Sequence, residues 1–293
     1  MPLPADPSST PDAGEHVLTL ACPDRPGIVH AVSTFLVVTG CNILDSQQYR
    51  DPDSTTFFMR VHVAADRTVD TASLRAAFGA TASSFGMDWQ LEPVRPLPTL
   101  VMVGTQDHCL ADLLFRHRTG ALPIELRAVV SNHPDVRRLV EWHGVRFHLL
   151  PVTPESKPDA EAALLALVAE LEVELVVLAR YMQVLSPALC TQLAGRVINI
   201  HHSFLPSFKG ARPYAQAHDR GVKLIGASAH YVTADLDEGP IIEQDVARAD
   251  HTQTVAQLAR VGADIEAQVL ARAVTWHAER RVLRNGRRTV IFR

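Results

Sequence analysis

The chain has 293 residues, a hydrophobic fraction of 47%, a charged fraction of 20% and a formal net charge of −4, which is ordinary globular composition with room for two domains. The charge balance gives no electrostatic footprint for nucleic acid, and no apolar run approaches membrane-spanning length. Cys22, Cys41, Cys109 and Cys190 lack paired spacing, which points to a reducing cytoplasm rather than a disulfide framework.

Residues 1–14 are Pro/Ser-rich, lack the basic and apolar regions of a signal peptide, and are expected to be a disordered tail. Residues 16–21 alternate into a strand, and a turn at Asp24, Arg25, Pro26, Gly27 and Ile28 leads into a helix over 28–39, with Ile28, Val32, Phe35 and Leu36 near one face. Strands are predicted over 42–50 and 55–63 around a turn at 51–54, then a helix over 71–79 and a strand over 87–92. The result is a βαββαβ domain over 15–92. A proline-rich linker, 93–98, separates it from a second domain over 99–293.

The second domain alternates strands and helices, which implies a largely parallel α/β sheet. Strands are predicted over 100–104, 126–131, 175–179 and 196–200, and helices over 109–118, 159–171 and 187–194. The near-continuous apolar run at 175–179 suggests burial on both faces of the sheet. A further apolar run at 224–233 ends in a turn at 235–240, a long amphipathic helix covers 252–277, and a hairpin closes around Asn285-Gly286.

Asn199 and His201 stand at the end of one apolar run and Asp237 follows another. In α/β sheets, strand ends are where ligands bind. An amide and an imidazole can donate to a developing oxyanion, and a carboxylate can orient the proton carrier, so the trio suits attack on a carbonyl.

The pattern Asn-x-His, Ser-x-Leu-Pro, then Asp-x-Gly-Pro-Ile-Ile resembles the catalytic motif of formyltetrahydrofolate-dependent formyltransferases. The longer runs 199–214 and 226–246 resemble the formyltetrahydrofolate deformylases, which hydrolyse 10-formyltetrahydrofolate to tetrahydrofolate and formate. The first domain's element order and its Asp-Arg-Pro-Gly-Ile turn resemble the ACT domain, a ferredoxin-like regulatory module that often binds amino acids. That family implies a formyltransferase-type second domain, no permanently bound cofactor and a catalytic role for Asn199, His201 and Asp237.

The resemblance also assigns the folate pocket to the segment 180–185, with Tyr181, Met182, Gln183, Val184 and Leu185 after Arg180, and the run from His230 to Asp235, with Val232, Thr233 and Ala234 at its centre, as the opposite wall. The basic residues of 209–214 could meet the folate glutamate, or form a solvated loop. Related glycinamide ribonucleotide formyltransferases cradle a phosphate in a glycine-rich loop after the first strand. Here Asp107 and His108 occupy that acceptor-side loop, and Asp107 would repel a phosphate or simply cap the helix. Water is then the expected acceptor.

Adjacent His201 and His202 on a strand would face opposite ways, and no zinc motif is present, so no metal is expected. Cys109 after His108 reads as a buried helix-start thiol. The arginines of 280–288 read as a solvated or subunit-facing surface. Asp24, Arg25, Pro26, Gly27 and Ile28 place backbone N–H groups at a helix start, a seat for the carboxylate of an amino-acid effector. By analogy with ACT modules the chain is expected to form a homo-oligomer, without nucleic-acid or membrane partners. The expected activity is cytoplasmic hydrolysis of 10-formyltetrahydrofolate, supplying formate for purine synthesis. The alternatives are formyl transfer to an amine, or a non-catalytic amino-acid sensor.

Overall fold

The computed structural model describes residues 14–65, 69–205 and 213–293. The expected tail, except Gly14, and most of the basic loop at 209–214 therefore lie outside the described residues. Two compact units emerge: the first takes the described residues up to Arg95 with Glu279–Leu283 and Val290–Arg293, the second Pro96–Ala278 with Arg284–Thr289.

The first unit runs β1 (Glu15–Pro23), α1 (Ile28–Val38), β2 (Asn42–Arg50), β3 (Thr56–Ala64), α2 (Thr71–Phe85) and β4 (Asp88–Pro93). Its sheet has the order β2-β3-β1-β4, with every neighbouring pair antiparallel. The expected βαββαβ order is thus observed. The apolar stripe of α1 packs with Leu74 and Phe78 of α2 and the inward residues Leu18, Leu20 and Leu91 into one core. Phe78 sits between Phe35 and Trp89, edge to face, with ring centroids 4.9 Å away on each side. Burying each such ring is worth ~1.5–3 kcal/mol. Helix α2 outruns the expected end at Gly79: that glycine does not take a positive φ, and Ala82 and Phe85 prolong the helix's apolar face. It stops at Gly86, whose φ of 62° is the left-handed cap that glycine adopts without penalty.

The second unit contains β5 (Leu97–Val103), α3 (His108–Arg118), β6 (Ile124–Ser131), α4 (Arg137–Trp142), β7 (Phe147–Leu149), α5 (Lys157–Glu170), β8 (Leu175–Ala179), α6 (Pro187–Gln192), β9 (Val197–His201), α7 (Pro213–Asp219), β10 (Leu224–Tyr231), β11 (Ile241–Arg248) and α8 (Val255–Ala278). A hairpin of β12 (Val282–Asn285) and β13 (Arg288–Ile291) follows. Strand β5 already includes Leu97 and Pro98, which the proline content assigned to a linker. Proline is tolerated near a strand's start, where the ladder has barely begun.

Seven strands form one sheet in the order β11-β10-β9-β8-β5-β6-β7. The five from β9 to β7 are mutually parallel, and β10 and β11 pair antiparallel. Strands β5 and β8 are buried at every position, as central parallel strands covered on both faces must be. Of these elements, α4, β7, α7 and β11 were not anticipated. The first three are short, and β11 mixes apolar positions with Glu243, Gln244 and Asp245.

Candidate active site

Strand β9 aims two side chains at one place. Asn199 and His201 are two residues apart, so a β-strand turns both to the same face. The antiparallel register sets His230 of β10 directly opposite Asn199, and the parallel register sets Leu178 of β8 beside it. Asp237 arrives from the turn after β10. Its φ of 57° is left-handed, a conformation that Asp tolerates better than most residues. The turn is pinned by Tyr231 N–H donating to the Pro240 carbonyl at 2.9 Å. Gly239 is obligatory there, since a Cβ would lie 1.7 Å from the Tyr231 carbonyl oxygen.

These elements close a hydrogen-bonded set. His201 Nδ1 lies 3.3 Å from Asp237 Oδ2, and His230 Nε2 lies 3.6 Å from Asp237 Oδ1. His230 Nδ1 donates to the Tyr231 carbonyl at 2.9 Å, which leaves Nε2 to accept from Asn199 Nδ2 at 3.2 Å. Asp237 accepts from His201 Nδ1–H, so Nε2 of His201 carries the lone pair. That atom is buried and has no partner among the described residues. Burial works to raise the Asp237 pKa, but the His201 hydrogen bond and the two neighbouring imidazoles outweigh it, holding the carboxyl far below the usual range. With an ionised carboxylate behind it, an imidazole with a free Nε2 can accept and return a proton.

The set opens onto a cavity of about 220 Å³. All the residues expected to hold the folate line it: Tyr181, Met182, Gln183, Val184 and Leu185 on one segment, Val232, Thr233 and Ala234 on the other. Asn199, His201 and Asp237 share that lining, as do Arg180, His202, His230 and Leu236. Burial and the nearby Glu161 charge push the Tyr181 hydroxyl up to about 12, so it stays a neutral donor.

Two expectations fail here. His202 does not face away from His201: β9 ends at His201, and the two rings stack with centroids 5.0 Å apart. Asp107 occupies the N-cap position of α3 but its side chain makes no cap hydrogen bond. The neighbouring His108 does the binding, with Nε2 2.8 Å from Glu266 Oε2. His108, Cys109 and Glu266 bring potential ligand atoms within 4.8 Å of one another. Both Glu266 oxygens are already engaged, by His108 and by the Tyr214 hydroxyl at 2.5 Å, and the Arg180 guanidinium stands 3.4 Å away. Burial and the Glu266 charge raise the Cys109 thiol well above its ordinary value. A cationic guanidinium and a protonated thiol make this donor set an ion-pair network rather than a cation seat.

Glu266 was not singled out from the sequence, and His230 was expected only as part of the pocket wall, not as a partner of Asn199 and Asp237. In the first unit, Asp24 pairs with Arg50 at 2.7 Å, and Arg25 lies 4.3 Å from the Phe85 ring centroid. Gly27, between Pro26 and Ile28, precedes α1 with φ 96°, and no side chain caps the helix.

The arrangement and topology are those of a formyl transferase. That family's profile matches residues 98–274, and the ACT domain profile matches residues 16–74. A formyltetrahydrofolate deformylase from a Corynebacterium species is 54% identical over 280 residues, covering 95% of this chain and 98% of that protein. The crystal structure of one from Pseudomonas syringae superposes with a TM-score of 0.93 at 46% identity, covering 95% of this chain and 94% of that chain. A glycinamide ribonucleotide transformylase from Symbiobacterium toebii superposes at 0.61 with 31% identity, over 68% of this chain and 95% of its own. The chain belongs to the formyltetrahydrofolate deformylase family, with an N-terminal ACT domain and a C-terminal formyltransferase-fold domain.

Proposed function

We propose that the protein hydrolyses 10-formyltetrahydrofolate to tetrahydrofolate and formate, with Asn199, His201 and Asp237 as its catalytic residues. The observation that carries this is the His201–Asp237 pair: both residues line the cavity, and His201 Nε2 has no hydrogen-bond partner among the described residues. The folate's pterin lies between the 181–185 segment and Val232–Thr233–Ala234, which places its formyl group toward β9. Water attacks the formyl carbon. Asn199, through the N–H not given to His230, and His201 stabilise the oxyanion. The C–N10 bond then breaks as His201 passes the proton taken from water to N10. Asp237 keeps His201 in the required tautomer and orients the water. His230 braces Asn199 from β10.

The only small molecule this reading requires is the substrate, and no resident cofactor enters the chemistry. Formate release would supply one-carbon units for purine synthesis. Among the described residues no helix is long and apolar enough to cross a membrane, in keeping with a cytoplasmic enzyme.

The ACT domain is read as an amino-acid sensor, with the uncapped N–H groups at Gly27–Ile28 as the carboxylate seat. Strand β2 is at the sheet edge with Ile43, Leu44 and Tyr49 exposed, which supports side-by-side pairing into a homo-oligomer. The activity is tested by incubating the protein with 10-formyltetrahydrofolate and no amine. Formate production supports the reading, and formyl consumption only on adding an amine would make the protein a transferase.

A further inference from the structure

Arg180 follows β8 at the point where three strands end. The β8–β9 register pairs Val177 with Ile198 and Leu178 with Asn199, and the chain turns away from the ladder at Arg180. On the other side Gly104, after β5, donates to the Arg180 carbonyl at 3.2 Å, and a Cβ at Gly104 would meet that oxygen at 2.9 Å. Arg180 is 7% exposed and lines the same cavity as His201 and Asp237. Its φ of 62° is one that long side chains rarely adopt.

A network holds it there. Nε donates to Gln106 Oε1 at 2.9 Å and lies 3.4 Å from Glu266 Oε2. Glu266, 1% exposed on α8, is bound in turn by His108 and Tyr214. Tyr214 reaches it because Gly262 leaves room: a Cβ there would lie 2.0 Å from the hydroxyl. Burial favours the neutral acid, yet the His108 hydrogen bond, the Arg180 charge and Tyr214 outweigh it and keep Glu266 ionised. A buried network of this kind is poor at stabilising a fold relative to apolar packing, so a role in function is the better explanation of it.

We propose that the Arg180–Glu266–His108–Tyr214 network selects water over amines as the formyl acceptor. Without Arg180 in front of it, the buried Glu266 carboxylate would be a natural seat for an amine nucleophile. Here both carboxylate oxygens are taken, and Arg180 lies between Glu266, 3.4 Å away, and the cavity whose lining it shares with His201. An amine finds neither space nor acceptor, whereas a water molecule needs little of either. The inference rests on the hydrolytic reading above.

The test is the product ratio in Arg180→Gly. Glycine adopts φ 62° without strain, and Glu266 keeps His108 and Tyr214, so the change removes the plug and not the fold. Isotopically labelled 10-formyltetrahydrofolate is supplied with tens of millimolar glycinamide, a small primary amine, and N-formylglycinamide and formate are quantified by NMR. The wild type should give formate alone. Arg180→Gly should raise the formyl-amine to formate ratio at least about tenfold, a barrier difference of ~1.4 kcal/mol. Glu266→Gln, which keeps the shape but loses the charge that holds Arg180, should raise it less. The ratio does not depend on how much enzyme is active, so partial unfolding does not blur it. Formate alone from both variants, even with lowered melting temperatures, overturns the proposal and makes the network structural. If the wild type itself releases no formate, it is the hydrolytic reading that fails.

Discussion

Replacing Asp237 with Asn isolates a single charge. The side chain is 13% exposed and touches His201 and His230. Asn has the same shape and tolerates the left-handed φ of 57° as well as Asp does, so the turn should survive. The chemistry should not. An amide can present N–H to His201 Nδ1, which moves the imidazole proton to Nε2 and removes the lone pair needed to take a proton from water. It also takes away the negative charge that stabilises the imidazolium once His201 has accepted a proton. General acid–base groups contribute about 10²–10⁴ in rate, or ~2.7–5.4 kcal/mol of barrier. Loss of one charge-assisted hydrogen bond costs the fold only ~1.5–3 kcal/mol. Formate release at saturating 10-formyltetrahydrofolate should therefore fall by two to four decades, roughly, while circular dichroism and a thermal melt still show a folded protein. A folded Asp237→Asn protein with near wild-type turnover would remove Asp237 from the mechanism.

Gly239→Ala should reduce turnover far more than stability, because its Cβ would collide with the Tyr231 carbonyl and shift the turn that carries Asp237; equal losses in both would show that the turn has no special link to the chemistry. Asp237 and Glu266 both have lowered carboxyl pKa values in the folded protein, so their stabilisation is complete above the unfolded values of roughly 3.9 and 4.3 and is lost as pH falls through the folded ones. Urea midpoints should accordingly drop below about pH 4, and Asp237→Asn should flatten that drop; identical pH profiles for variant and wild type would contradict the assignment. Small amino acids such as glycine or methionine should change the rate of formate release by the full-length chain, since an effector must bind two states differently. A Gly27→Val substitution at φ 96° should abolish the response; a response that survives it would move the seat elsewhere.

The parts of the fold read correctly from sequence are those whose signal is local. Strand β8 declares itself as an unbroken apolar run, and α1 by the spacing of Ile28, Val32, Phe35 and Leu36. Asn199 and His201 were legible because a spacing of two on a strand means one face. His230 was legible only as pocket wall; its place opposite Asn199 follows from the β9–β10 register, a pairing between residues that sequence periodicity does not encode. Glu266 looked like one more charge on an amphipathic helix; its burial depends on Gly262, Tyr214 and Arg180, which only the tertiary fold brings together. The end of α2 was misplaced because glycine stops a helix only where the chain must turn left-handed, as at Gly86 and not at Gly79.

The central claim is that water is the nucleophile at the formyl carbon. Running the reaction in ¹⁸O-enriched water without any amine, and analysing formate by mass spectrometry, tests it most directly. One solvent oxygen in each formate, with tetrahydrofolate formed in equal amount, is the predicted result. Formate without solvent oxygen, or no formate until an amine is added, would contradict it.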